Sequence, residues 1–126
     1  MKKLFLILVS LWTLSVYADD VMRKEKDGTY IVNTTTLAKD VEGYNGPTPL
    51  EVHIRKNKIV KVIMLKSMET PKYNARVKST LLPKYEGMKV NKGEIQDVDG
   101  ITGATFTSDA VKENVKRALD YYKKHR

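Results

Sequence analysis

Residues 50–65 read Leu-Glu-Val-His-Ile-Arg-Lys-Asn-Lys-Ile-Val-Lys-Val-Ile-Met-Leu. Leu50, Val52 and Ile54 alternate with Glu51, His53 and Arg55, the period-two pattern of a half-buried strand. Lys56-Asn57-Lys58 is a polar break, and the run from Ile59 to Leu65 is apolar at nearly every position. The stretch predicts a β-hairpin whose second strand is apolar on both faces and therefore central in its sheet. His53 falls on the polar face of the first strand and reads as an exposed histidine, not a ligand.

The flanks complete the fold class. Upstream, Tyr30-Ile31-Val32 after Gly28 predicts a first strand, which Thr34-Thr35-Thr36 can extend. Residues 19–27 (DDVMRKEKD) read as a charged, frayed arm, and Gly43-Tyr44-Asn45-Gly46-Pro47 as a turn. Downstream, Tyr73, Val77 and Leu81 recur every fourth residue behind Pro71, which suits a first helical position. Leu82-Pro83 ends that helix. Residues 82–94 read as a loop with room for one helical turn. Val111, Val115, Ala118, Leu119 and Tyr122 form one stripe of a helix from about Ser108 to Lys124. Asp109 suits its first turn, and Lys123, Lys124 and Arg126 its last. The expected fold is α+β: a small antiparallel sheet packed against two helices in a single compact domain over 41–126. Residues 19–40 supply the charged arm and first strand.

Bulk properties bound the function. The chain has 126 residues and a formal charge of +8. Residues 1–18 (MKKLFLILVSLWTLSVYA) combine two lysines, a short apolar run and a small-residue end. They read as a secretory signal peptide cleaved after Ala18, placing the protein in the periplasm or at the cell surface. Loss of Lys2 and Lys3 with that leader lowers the charge to +6. The lysines are spread along the chain without interleaved aromatics, so no nucleic-acid partner is expected. A solvated basic surface is the plainer reading, with peripheral contact to an anionic membrane surface left open. There is no cysteine, and the two histidines, His53 and His125, lie far apart. Thiolate, zinc and haem chemistry are therefore disfavoured, no metal ligands are assigned, and redox work would need an organic cofactor.

The remaining motif is Asp99-Gly100-Ile101-Thr102-Gly103-Ala104-Thr105-Phe106-Thr107-Ser108. It precedes the strongest predicted helix. Thr107 or Ser108 can cap the helix, Gly103 and Ala104 leave the backbone open to a ligand, and free amides at a helix start attract anions. Thr102, Thr105, Thr107 and Ser108 add hydroxyls. Those residues specify either an anion site or a generously capped helix. Asp97 and Asp99 read as turn formers before acid–base catalysts, and no catalytic residue is assigned.

The motif resembles the flavinylation sequence of the FMN-binding domain family: Asp, two variable residues, Ser or Thr, then Gly-Ala-Thr. Related domains occur in subunits of sodium-pumping NADH:quinone oxidoreductase and Rnf complexes, and in small exported flavoproteins. The resemblance implies FMN attached by a flavin transferase, from FAD, through a phosphoester to Thr105. Asp99, Thr102, Gly103 and Ala104 match the other motif positions. Gly43-Tyr44-Asn45-Gly46-Pro47 is similar to the family's Gly-Tyr-x-Gly turn, and Glu69-Thr70-Pro71 to its Glu-Thr-Pro segment near the flavin. The resemblance spans about 41–119. Where many relatives continue with glycines, this chain has Lys72-Tyr73-Asn74-Ala75. Glu69 and Thr70 either contact the flavin or lead into the Pro71 helix with Thr70 as its cap. Tyr44, Tyr73 and Phe106 border the ring or pack. The implied function is an exported electron carrier between a membrane electron-transport complex, or another redox partner, and an extracytoplasmic acceptor. The rivals are a non-redox module for another phosphorylated or anionic ligand, and a flavin-free interaction protein.

Overall fold

The hairpin at 50–65 lies at the centre of the fold, in a computed structural model that describes residues 21–90 and 105–126. Strand β3 (Leu50–Arg55) pairs antiparallel with β4 (Lys58–Met64) across a two-residue loop. Both loop residues adopt the left-handed backbone that such tight hairpins use, with φ 52° at Lys56 and 60° at Asn57. Asparagine tolerates that region. A lysine there costs roughly 1–2 kcal/mol, so neighbouring contacts must hold it.

Upstream, β1 (Met22–Lys24) pairs with β2 (Tyr30–Asn33), and β2 pairs with β3, giving an antiparallel sheet in the order β1-β2-β3-β4. Three expectations are corrected here. The stretch read as a frayed arm contains β1, because Met22 reaches the core opposite Val32 while Arg23 and Lys24 stay exposed. Among the described residues β4 is an edge strand, not a central one. A register shift between His53 and Ile54 leaves Val60 as an extra residue on β4. Val60 and Ile63 are consequently 46 % and 37 % exposed, so the double-sided apolar pattern came from an edge bulge. His53 is half-buried, against expectation, with its Nε2 3.3 Å from Glu51 Oε1.

The threonine run does not extend β2. Asn33 Oδ1 accepts from the Thr35 amide at 2.9 Å and from its hydroxyl at 2.6 Å, which turns the chain. Thr34 is buried instead, and its hydroxyl accepts from the Leu50 amide at 2.8 Å.

Helix α1 (Pro71–Arg76) runs on through a π-helical turn (Val77–Leu81) and a 3-10 turn (Leu82–Tyr85). Proline at the first position starts it without a wasted donor, and Val77 and Leu81 are fully buried, as their spacing predicts. Helix α2 (Thr105–His125) covers the sheet. Its stripe of Val111, Val115, Ala118, Leu119 and Tyr122 meets Val32, Leu50, Val52 and Ile54, and residues 77–90 close the side. Each fully buried aliphatic side chain contributes about 1.5–3 kcal/mol relative to exposure.

One polar group crosses this interface. Asn114, buried within α2, accepts from Thr34 Oγ1 at 2.5 Å and donates to Ala110 O at 2.8 Å and Thr48 Oγ1 at 3.4 Å. Full satisfaction makes such a group tolerable in a core, and its directionality fixes the helix along its axis. At the far end, Tyr122 Oη donates to Asn57 Oδ1 at 2.6 Å, and Arg126 bonds the same oxygen, tying the helix terminus to the hairpin loop.

Candidate functional site

At the opposite end of α2 three segments meet: the turn at 43–47, residues 67–74 at the start of α1, and the first turn of α2. The turn closes on itself through a Gly43 amide bond to Gly46 O at 2.8 Å. Its Asn45 reaches across to the second segment, donating from the backbone to Glu69 Oε2 at 3.2 Å and from Nδ2 to Thr70 Oγ1 at 3.1 Å. Tyr44 joins all three segments. Its ring lies 5.7 Å from Tyr73 edge-on and 6.2 Å from Phe106 at a 41° tilt.

The polarity of this end is unusual. Glu69 is 4 % exposed, and its Oε1 has no hydrogen-bond partner among the described residues. Asn74 Oδ1 and Thr107 Oγ1 are buried without a partner too. Leaving such a group unpaired costs about 1–3 kcal/mol, so three in one neighbourhood mark a place built for an additional donor or acceptor. The apolar surface is displaced in the other direction: Tyr44, Met68 and Phe106 are 59 %, 80 % and 65 % exposed at the same end. Buried polar atoms beside uncovered aromatic faces suit a flat, polar-edged ligand.

Thr105 is the first residue of α2 and is exposed, in the turn whose backbone amides have no partner within the helix. The helix starts earlier than its apolar stripe implies, which changes the roles of its neighbours. Thr107 and Ser108 lie inside the first turn, 1 % and 0 % exposed, and are not caps. Thr70 precedes α1 but makes no side-chain cap bond, since its hydroxyl serves Asn45. Asp99, Thr102, Gly103 and Ala104 lie outside the described residues, as does the leader at 1–18.

Sequence reading brought Glu69, Thr70, Thr105, Thr107 and Ser108 forward, and the fold gathers them at one end. It missed Asn45 and Asn74. Asn74 Nδ2 donates to Ser67 Oγ at 3.1 Å, part of the same polar floor. The available signal was the pair of asparagines flanking the Glu-Thr-Pro segment in turn and helix-start contexts, which has no fixed meaning without the fold.

The residues present fit FMN. Exposed aromatic faces suit an isoalloxazine, the unpaired Glu69, Asn74 and Thr107 oxygens can accept from or donate to its polar edges, and the α2 start suits its phosphate. No match to the chain was found among curated proteins or among solved structures. The family model for the FMN-binding domain matches residues 43–120, more than half of the chain. That span begins at the Gly43 turn, takes in Glu69 and Thr105, and ends within α2, so the chain belongs to the FMN-binding domain family.

Proposed function

We propose that this protein is an exported electron carrier whose FMN is joined by a phosphoester to Thr105. The carrying observation is the exposed Thr105 at the α2 start, next in sequence to Phe106, whose ring meets Tyr44 of the turn that holds Glu69. Attachment by a flavin transferase forms a bond from Thr105 Oγ to the flavin's phosphate while the pyrophosphate bond of FAD breaks and AMP leaves. The helix dipole and first-turn amides then favour the retained negative charge. Bound FMN supplies one- and two-electron chemistry, so the chain need contribute no nucleophile or general acid to its redox work.

The chain's own residues orient and tune. Tyr44 and Phe106 offer faces for stacking, and Glu69, held in place by Asn45, sets the polarity of the ring's surroundings. A covalent link matters outside the cytoplasm, where reversible binding would require free flavin well above its dissociation constant. The proposed donor is a membrane electron-transport complex and the acceptor an extracytoplasmic redox protein.

Intact mass of protein exported from a host with flavin transferase tests the reading. The expected gain is one FMN less one water, lost in Thr105→Ala and retained in Ser108→Ala. Flavin mapped to another hydroxyl, or held covalently by Thr105→Ala, would falsify the assignment. Reversible flavin alone would leave a noncovalent carrier. A colourless exported protein that binds other phosphorylated ligands would favour the non-redox module.

A further inference from the structure

The end of the molecule opposite the flavin site carries a concentration of positive charge. The β3–β4 loop presents Arg55, Lys56 and Lys58, all exposed. A bridge between Lys58 and Lys89 adds a fourth cation, and the Ile59 amide bond to Met88 O at 2.9 Å fixes that neighbouring segment. The end of α2 brings Lys124 and Arg126, and Asn57 binds it to the loop through Tyr122 and Arg126. Six cations from three chain segments thus lie at one end of the molecule. Two acidic groups stand near them, Glu86 and Asp27, and Arg55 helps hold the Asp27 carboxyl below its ordinary range, behind hydrogen bonds from Thr29.

Two further observations give this surface a shape and a cost. Arg55, Lys56, Lys58, Ile59, Val60 and Gly87 line a shallow groove of about 530 Å³. Lys56 occupies a left-handed backbone position where glycine or asparagine would be relaxed. A lysine kept at a strained loop tip is consistent with a use for its charge there.

From this we infer that the loop, Lys89 and the α2 terminus form a docking surface for anionic phospholipid headgroups. A lipid surface fits better than a compact acidic protein because the cations project from a loop tip and a helix end, a blunt pole suited to a plane. Among the described residues no helix is long and apolar enough to cross a membrane; the exposed apolar residues Tyr44, Met68 and Phe106 lie at the other end, and Val60 is the one exposed apolar side chain in the groove's lining, too small to anchor the protein by insertion. Binding is therefore electrostatic, reversible and weakened by salt. The 21 residues of α2 span about 31 Å. The pole-down orientation holds Thr105 about that far above the lipid, facing a partner's aqueous domain.

Vesicle co-sedimentation of the exported protein tests this, whether or not flavin is attached. Vesicles of phosphatidylglycerol and phosphatidylcholine should retain the protein at low salt and release it at high salt, while pure phosphatidylcholine should not retain it. The K56Q/K58Q/K124Q variant should lose roughly tenfold or more in affinity. The matched K39Q/K66Q/K72Q variant, neutralised away from the pole, should lose no more than about twofold. Equal losses in the two variants would show diffuse attraction to net charge and overturn the proposal. Binding to phosphatidylcholine alone, or capture by an acidic polypeptide with no retention on anionic vesicles, would overturn it too.

Discussion

Glu69 Oε1 occupies the space a side chain on Gly43 would need: a Cβ there would lie 1.8 Å from that oxygen and 3.1 Å from Thr48 Cγ2. The glycine is required by close approach to a buried carboxyl group, and that approach places Glu69 under the Tyr44 turn. Gly43→Ala must therefore displace the carboxyl or lift the turn. The expected loss is about 1–3 kcal/mol in denaturant unfolding of the flavin-free protein. Glu69→Ala in the same chain should recover part of it. Additive losses in the double mutant would show the two residues uncoupled.

Thr107 gives a prediction of opposite sign in the empty and loaded protein. Its buried hydroxyl has no partner among the described residues, so Thr107→Val should stabilise flavin-free protein by about 1 kcal/mol. In flavin-loaded protein the same change should be destabilising. A thermal melt of both forms decides it: an equal gain in the two would remove Thr107 from the ligand site.

The bond from Thr34 to Asn114 locks α2 to the sheet. Asn114→Ala leaves Thr34 and Thr48 short of partners in a closed core and should cost about 2–4 kcal/mol. Because Asn114 lies between the flavin end and the basic pole, hydrogen exchange should rise along α2 as a whole. Protection lost at the first turn alone would contradict this.

Arg117 bonds Asp40 at 2.6 Å and Leu37 O at 3.0 Å, tying α2 to the turn after β2. The guanidinium's hydrogen bond, and then Asp40's own backbone amide, hold the carboxyl below its ordinary value of 3.8. A depressed carboxylate stabilises the fold above the unfolded value and loses that effect as pH falls through the folded one. Asp40→Asn should therefore be less stable than the parent above about pH 4, by a small margin because the pair is exposed. Below that range the two urea midpoints should converge. A constant difference down to pH 2 would exclude Asp40 as the source.

Period-two alternation in β3, the four-residue recurrence in α1 and the stripe of α2 were legible in the chain because each depends on neighbours a few residues away. The α+β class, a small antiparallel sheet packed against two helices, followed from them. So did the family, since the motif ending at Thr105 is contiguous. What needed the fold was everything set by residues far apart. Among the described residues β4 is an edge because no further strand pairs with it, and a bulge opposite His53 exposes Val60; neither is visible to composition. Residues 22–24 form a strand because Val32 offers Met22 a buried place, which a charged leader does not advertise. Thr107 and Ser108 are interior because the helix is already formed at Thr105, three residues ahead of the start that the apolar stripe implies. The sequence by itself determined the α+β class and membership of the FMN-binding domain family. Only tertiary packing decided that Asn45, Glu69, Asn74 and the α2 start share one end while the cations gather at the other, because side-chain position across a fold is a property of long-range contact.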